Sequence, residues 1–229
     1  MNKTIKIKNK SGNKLLGILQ TGINKRLIII CNGYDSTKEF LPINKLADGL
    51  NKNGYSVFRF DFSGTGQSNG EKRVFLTQQV DDLNCVVNYF TKFNKLILLG
   101  FSLGALSAAI VSVTNPKVTH LITLNGYFGR GELGKEVRNT YLKYRLAALI
   151  IPKFRADYKF FKDNFLPAKI KIPVLVIYTK KDDVVYPVQS ERFYLELSTK
   201  YKMLQNLGLL KHNLTGKDDV LKIVSAINI

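Results

Sequence analysis

The sequence predicts an α/β protein in which a mostly parallel central sheet is covered by helices on both faces. Several short runs of the chain are apolar throughout, which is typical of strands buried on both faces. These runs alternate with stretches of helical periodicity, and that alternation favours parallel pairing. No internal repeat or linker divides the 229 residues, so we expect one domain built around one large core.

The predicted elements follow one another in a regular order. The segments TIKIKN and KLLGILQ flank a Ser-Gly-Asn turn and predict an opening hairpin. Buried strands are expected at 26–31, 55–60, 95–100, 118–125, 173–179 and 201–207. Helices are expected around 38–51, near 77–90, at 103–113 and near 218–227.

The segment Gly126–Leu166 interrupts this rhythm with about forty residues that contain no buried-strand pattern, which is long for a plain connection. It holds nine aromatic side chains, together with nine basic and four acidic ones. Because it follows a strand of the sheet, we expect a short, partly helical lid inserted at about 126–166, over the carboxyl ends of the strands. The alternative is an extra helical layer with a small core of its own.

The net charge is the most unusual property of the composition. Thirty-five Lys and Arg residues stand against seventeen Asp and Glu, which gives +18 at pH 7. Such a charge suits a nucleic acid, an anionic membrane or an anionic substrate. The lysines are scattered, however, often beside Asn and Ile, which favours a merely solvated surface. We therefore expect no nucleic-acid partner, and contact with a membrane surface stays an open alternative.

The chain carries no pattern that indicates export or membrane insertion. The basic N-terminal stretch is followed by Ser-Gly-Asn instead of an apolar segment, and the longest apolar runs are too short to cross a bilayer. Cys31 and Cys85 provide neither a disulfide framework nor metal-ligand spacing, and Cys85 falls on the apolar face of a predicted helix. We expect a cytoplasmic protein that is not an integral membrane protein.

Ser102 stands between two glycines in GFSLG, after a predicted strand and before a predicted helix. Glycine and serine also end strands and cap helices for purely structural reasons, so the pentapeptide alone leaves two interpretations. In a strand–turn–helix context, however, this pattern forces a sharp turn that exposes the hydroxyl at the carboxyl edge of the sheet. That edge is where ligands bind in open parallel sheets. The context therefore favours a nucleophile.

A serine nucleophile needs a base, and the chain has two histidines. His120 lies inside KVTHLITLN, where a packed or edge histidine is expected. His212 lies in a polar loop after the last predicted strand, from which it could reach Ser102. The imidazole then needs a carboxylate, and Asp182 and Asp183 follow a buried strand. A surface turn is the plain alternative for this acidic pair.

At this point the sequence resembles the α/β-hydrolase superfamily, most closely its small serine esterases of the cinnamoyl/feruloyl-esterase and monoacylglycerol-lipase-like group. The resemblance runs from about Arg26 to the C-terminus and rests on GFSLG, on the order of Ser102, Asp182 and His212, and on D-x-x-G-x-G-x-S. The last motif is formed here by Asp61, Gly64, Gly66 and Ser68.

The resemblance implies an α/β-hydrolase fold and a complete set of site residues. The acid of the family falls on Asp182 rather than Asp183, and the oxyanion hole would consist of the backbone N–H groups of Tyr34 and Leu103. In CNGYDST, Asn32 stands where such enzymes usually have histidine. Thr179 stands where such enzymes usually have glycine. LLKH stands where they usually have a segment of small, Gly-rich residues before the histidine.

We therefore predict a serine hydrolase that cleaves carboxylic esters or thioesters of small to medium acyl or aryl acids through an acyl-enzyme. Ser102 attacks, His212 acts as base and then acid, and Asp182 orients the ring. The expected partner is a small-molecule ester or thioester. No metal and no organic cofactor are implied, and the protein is expected to be a monomer or homodimer.

Two other classes of function remain open from the sequence. One is a hydrolase-fold binding or receptor protein with a slow triad, because fold alone does not fix function. The other is a basic protein that binds a membrane or nucleic-acid surface, which requires a contiguous basic face and salt-sensitive binding.

Overall fold

The computed structural model describes residues 2–72, 75–216 and 218–227, and its centre is an eight-stranded sheet of order β1-β2-β4-β3-β5-β6-β7-β8. The strands are β1 (Asn2–Lys8), β2 (Lys14–Gln20), β3 (Arg26–Cys31), β4 (Ser56–Phe60), β5 (Lys95–Phe101), β6 (Val118–Leu124), β7 (Val174–Tyr178) and β8 (Lys202–Asn206). The helices are α1 (Leu41–Lys52), α2 (Leu76–Tyr89), α3 (Leu103–Thr114), α4 (Lys135–Ile150), α5 (Pro152–Asn164), α6 (Val188–Glu196) and α7 (Asp219–Ala226), with a short 3₁₀ helix at Pro167–Lys169.

The sheet is parallel from β4 to β8, and β2 of the opening hairpin is the strand that runs against the others. β1 pairs antiparallel with β2, and β2 pairs antiparallel with β4. The pairs β3–β4, β3–β5, β5–β6, β6–β7 and β7–β8 are all parallel. This topology confirms the predicted fold class, a mostly parallel α/β-hydrolase sheet.

Helices cover both faces of the sheet, as the continuous apolar runs require. On one face, α2 and α3 pack into a cluster that includes Ile29 and Leu98. On the other face, α1 and α7 pack into a second cluster that includes Ile28 and Leu99. The residues Leu27–Cys31 of β3 thus alternate between two cores, which is why this run is apolar without interruption.

The structure departs from the predicted elements at three places. α1 begins at Leu41 instead of near residue 38, with Pro42 in its first turn, where a missing N–H costs nothing. The helix α6 was not predicted, because its nine residues bury Gln189 and Ser190 beside Phe193 and so lack an apolar stripe. Cys85 is only half-buried, although it does contact the core.

Within the described ranges, no helix combines the length and the apolar content that crossing a bilayer requires.

Candidate active site

Successive strands are placed on opposite sides of β3, and this creates a crevice at the carboxyl edge of the sheet. The chain passes from β3 to β4 on one side and returns to β5 on the other. Loops that leave the ends of β3 and β5 therefore diverge, and the gap between them is where open α/β sheets bind ligands. Gly33 and Tyr34 follow β3 at this edge, and Ser102 follows β5.

Ser102 occupies a strained turn between β5 and α3. Its φ of 53° and ψ of −122° lie outside the regions that side-chain-bearing residues ordinarily adopt, at a cost of about 1–3 kcal/mol. The flanking glycines make the turn feasible. A Cβ atom at Gly104 would lie 2.1 Å from the carbonyl oxygen of Cys31, and one at Gly100 would lie 2.4 Å from Cα of Ala105.

The structure brings Ser102, His212 and Asp182 together in one chain of hydrogen bonds. His212 Nε2 lies 3.1 Å from Ser102 Oγ, and His212 Nδ1 lies 2.7 Å from Asp182 Oδ2. Asp182 Oδ1 accepts hydrogen bonds from the backbone N–H groups of Val184 and Val185 at 3.0 and 2.8 Å. The carboxylate is thereby fixed, and it fixes the ring in turn. His212 and Asp182 are both buried, so water competes little for these bonds.

The other histidine and the other aspartate considered for these roles lie away from Ser102. His120 pairs with Ile97 across the sheet, five residues before Ser102, which corresponds to about 16 Å along the strand. Burial, then the nearby charges of Lys95 and Arg26, lower its pKa. Asp183 is exposed, whereas its neighbour Asp182 points into the site.

The proposed oxyanion donors belong to segments that flank Ser102 closely. A Cβ atom at Gly33 would lie 3.1 Å from Cβ of Ser102, so the backbone that leads into Tyr34 passes directly beside the serine. Leu103 is the first residue of α3, and an N–H at that position has no carbonyl partner within its own helix. Both N–H groups are therefore candidates for binding an oxyanion.

A buried ion pair that the sequence did not reveal supports the loop of Tyr34. Lys38 Nζ donates to Asp61 Oδ2 at 2.7 Å and to Gln67 Oε1 at 2.8 Å, and Lys38 N–H donates to Asp61 Oδ1 at 2.7 Å. Both charged side chains are almost wholly shielded from solvent. Asp61 was noted only as part of a motif, and nothing in the sequence identified Lys38 as its partner.

The remaining positions of that motif explain why the pair can form. Gly66 has a φ of 49°, and a Cβ atom there would lie 2.3 Å from Asp61 Oδ2. Ser68 Oγ donates to the carbonyl oxygen of Asp61 at 2.7 Å and accepts from the N–H of Leu16 at 2.8 Å. The motif therefore folds a loop around the carboxylate and ties it to β2.

A cavity of about 960 Å³ opens above Ser102 and His212. Its walls are predominantly apolar and aromatic, and α4 and α5 supply one side of them. The lining from these two helices includes Val137, Tyr141, Tyr144, Ala147, Phe154, Tyr158 and Phe161. Cavities of this size and character are typical of small-molecule sites.

Asp157 joins the two inserted helices to the rest of the protein, and no sequence pattern indicates this role. Its buried carboxylate accepts hydrogen bonds from the N–H groups of Leu76 and Thr77 at 3.1 and 2.8 Å, and from the Thr77 hydroxyl at 2.8 Å. It thus caps the N-terminus of α2 from a distance. Tyr144 donates to the same carboxylate at 2.9 Å, and burial together with this charge raises the pKa of Tyr144.

No cluster of three or more His, Cys, Asp or Glu side chains able to hold a metal ion occurs in the part of the chain that the structure describes.

Residues 22–164 match the sequence pattern of a protein family described as serine aminopeptidase, S33. No curated protein sequence matches the chain.

Solved structures with the same fold include Est1E from Butyrivibrio proteoclasticus with bound ferulic acid, at 19% identity, a TM-score of 0.77, and coverage of 97% of this chain and 95% of that one. Mouse alpha/beta hydrolase domain-containing protein 10 has 17% identity, a TM-score of 0.77, and coverage of 98% and 96%. The monoacylglycerol lipase of Paleococcus ferrophilus has 18% identity, a TM-score of 0.73, and coverage of 93% and 99%.

Proposed function

The chain belongs to the α/β-hydrolase family described as serine aminopeptidase, S33, and from this premise we propose that it is a serine hydrolase of carboxylic esters or thioesters. The observation that carries the proposal is the continuous relay Ser102–His212–Asp182, with contacts of 3.1 and 2.7 Å. The order of hydroxyl, imidazole and carboxylate is the one that activates a serine on other folds as well.

The chemistry proceeds in two halves. Ser102 Oγ attacks the substrate carbonyl carbon while its proton passes to His212 Nε2. The ring then gives this proton to the leaving alcohol or thiol, and an acyl-enzyme remains. Water attacks the acyl group with His212 again as base, and the acid leaves as Ser102 recovers its proton. The buried Asp182 carboxylate stabilises the transient imidazolium throughout.

The negative oxygen that forms at each attack is held by the N–H groups of Tyr34 and Leu103. A preorganised donor of this kind is worth about 3–4 kcal/mol of transition-state stabilisation. The Lys38–Asp61 pair keeps the Tyr34 loop in place, and α3 keeps Leu103 in place. Neither donor has to move during the reaction.

The substrate class follows from the cavity. Its apolar and aromatic walls favour a small to medium acyl or aryl group over a charged one. We assign the residues 126–166 the role of a lid, since α4 and α5 form one wall of the same cavity. The reaction as written requires no metal or organic cofactor.

The decisive experiment is active-site labelling with a fluorophosphonate, combined with a panel of p-nitrophenyl esters of increasing chain length. Wild type should be labelled at Ser102 and should hydrolyse the esters. Ser102→Ala should lose both properties, with turnover reduced by roughly 10⁴-fold or more. The matched control is Ser225→Ala, which changes an exposed serine on α7.

Two results would overturn the proposal. Ligand binding in the cavity without labelling or turnover would mean a binding or receptor protein. Faster cleavage of aminoacyl p-nitroanilides than of any ester would mean a peptidase, as the description of the family suggests.

A further inference from the structure

The outer face of α4 exposes several large aliphatic side chains to solvent. Leu142, Leu146, Leu149 and Ile150 are 48, 62, 69 and 77% exposed, and Ile151 just beyond the helix is 42% exposed. Among the described residues, five of the fifteen large exposed hydrophobic side chains thus fall within ten consecutive positions. Surfaces that expose contiguous apolar area in this way usually bind something.

These side chains form one stripe. Residues on an α-helix advance by about 100° each, so the spacing of Leu142, Leu146, Leu149 and Ile150 keeps all four within about a third of the circumference. The opposite side of α4 faces the cavity through Val137, Tyr141 and Tyr144. The helix is therefore apolar toward the cavity and apolar toward solvent, and only the first of these two faces is covered.

Cations border the outer stripe. Helical spacing places Arg138 and Arg145 along one side of it, Lys143 along the other, and Lys135 at its N-terminal end, and all four are exposed. The helix α5 adds four more exposed cations, Lys153, Arg155, Lys159 and Lys162, of which Lys153 is paired with Glu71 and Lys159 with Asp163. Among the acidic groups of α5, Asp157 is buried as a helix cap and Asp163 is paired with Lys159.

From the stripe and its border we infer that the outer face of α4 docks on the surface of an anionic lipid bilayer. Aliphatic side chains enter the acyl boundary while Lys and Arg meet the lipid phosphates, which is how interfacial helices bind. A second copy of this chain fits less well, because a symmetric contact would press like charges together in a protein of net charge +18.

Docking in this orientation would place the wall of the cavity against the lipid. The same helix would then separate the bilayer from Ser102, and esters dissolved in the membrane would be its nearest substrates. This consequence rests on the proposed hydrolase function, whereas the docking itself does not.

The natural chain contains no tryptophan, so a single substitution provides a specific probe of insertion. Leu146→Trp places the probe in the stripe. Leu221→Trp is the matched control, because this leucine is 61% exposed on α7, which packs beside α1 and supplies no residue of the cavity wall. With phosphatidylglycerol vesicles, emission of the first variant should shift to the blue and be quenched by brominated acyl chains, while emission of the control should not change.

The aliphatic stripe and the cations that border it can be tested separately in the wild-type background. Leu146→Ser/Leu149→Ser should reduce the partition coefficient on phosphatidylglycerol vesicles by about tenfold or more. Lys135→Gln/Arg138→Gln should weaken binding and flatten its decline with added salt. Binding of the wild type to pure phosphatidylcholine should be at least about tenfold weaker than to phosphatidylglycerol.

Several results would overturn the inference. Equal binding by the double serine variant would mean that charge spread over the whole surface attracts the vesicles without this face. A dimer in sedimentation equilibrium that the double serine variant abolishes would identify a second copy as the occupant. Absence of vesicle binding by a correctly folded wild type would exclude lipid altogether. None of these measurements involves turnover, so a failure of the hydrolase proposal would be seen separately.

Discussion

At the scale of single residues, the two histidines of the chain have very different surroundings. His212 is buried between a hydroxyl and a carboxylate and lies 5.1 Å from the ring of Phe101. His120 lies in the middle of β6 and contacts only the hydroxyl of its neighbour Thr119 among the hydrogen bonds described for it. Only the first arrangement can move a proton to or from Ser102.

We expect fluorophosphonate labelling of Ser102 to depend on His212 alone. His212→Asn should slow labelling by roughly 10³-fold or more, since the serine loses its base. His120→Asn should be labelled at the rate of the wild type, which makes it a matched control. The rates are read by mass spectrometry of the Ser102 peptide, and slow labelling of the His120 variant instead would contradict the assignment.

The Lys38–Asp61 pair predicts a second result at this scale. Lys38→Met leaves a buried carboxylate without its cation, and we expect the free energy of unfolding to fall by about 3–5 kcal/mol. Turnover of esters should fall as well, because the Tyr34 loop loses its anchor. Denaturant titration measures the first effect and initial rates measure the second. Lys45→Met, at an exposed position of α1, should change neither.

A double variant separates the pair from its members. If the attraction between the two charges matters, Lys38→Met/Asp61→Asn should cost clearly less stability than the sum of the two single changes. Additive costs would show that the two side chains act independently.

At the scale of elements, a small group of side chains around Asp157 attaches α4 and α5 to the rest of the protein. Asp157 on α5 accepts hydrogen bonds from the first N–H groups of α2, and the same carboxylate accepts one from Tyr144 on α4. Aromatic contacts of Phe154 with Phe75 and Tyr144 lie beside it, with ring centroids 5.2 and 5.6 Å apart. One carboxylate thus joins three helices.

We therefore expect Asp157→Ala to reduce the free energy of unfolding by about 1–2 kcal/mol, the usual cost of a lost helix cap. It should also raise KM for long-chain esters, because the wall of the cavity is no longer held. The control is Asp163→Ala on the same helix, where the carboxylate is exposed and pairs only with Lys159. Equal melting temperatures for the two variants would contradict this interpretation of Asp157.

The assignment of residues 126–166 as a lid makes a different prediction. Tyr158→Ala removes an aromatic wall of the cavity, so KM should rise by roughly tenfold for long-chain or aryl esters while acetate esters are barely affected. Tyr201→Ala, an exposed tyrosine next to β8, serves as the control. Equal losses on every substrate would instead support the alternative of a purely structural helical layer.

Which of these elements and roles can be predicted from the sequence depends on how far apart in the chain the interacting residues lie. β3 could be predicted because Leu27–Cys31 is a continuous apolar run. The turn at Ser102 could be predicted because its two glycines lie within two residues of the serine. The roles of Lys38 and Asp157 could not, because their partners lie 23 and 81 positions away in the chain. In a sequence, a charged residue that is buried with a distant partner cannot be distinguished from one that is exposed at the surface.

At the scale of the whole molecule, the burial of His120 within the sheet predicts how stability responds to acid. The pKa of His120 is lowered first by burial and then by the positive charges of Lys95 and Arg26. The unfolded chain therefore takes up this proton at a higher pH than the native protein does. Stability should fall as the pH drops below about 6.5, the ordinary value for histidine.

His120→Gln should lessen this fall without changing stability at pH 8, where neither state holds the proton. Chemical denaturation at a series of pH values measures the difference. A wild type and a variant with parallel pH profiles would show that other groups are responsible.

The position of Cys31 allows the rate of opening of the native core to be measured directly. Its thiol is wholly buried at the end of β3, paired with Gly100 on β5, and burial raises its pKa, so the reactive thiolate is suppressed in the native state. The chain has two cysteines, and in a Cys85→Ser background every reaction with a bulky thiol reagent must await opening of the core that α2 and α3 cover. At high reagent concentration, the observed rate then equals the rate constant of opening itself, measured in native buffer with no denaturant present.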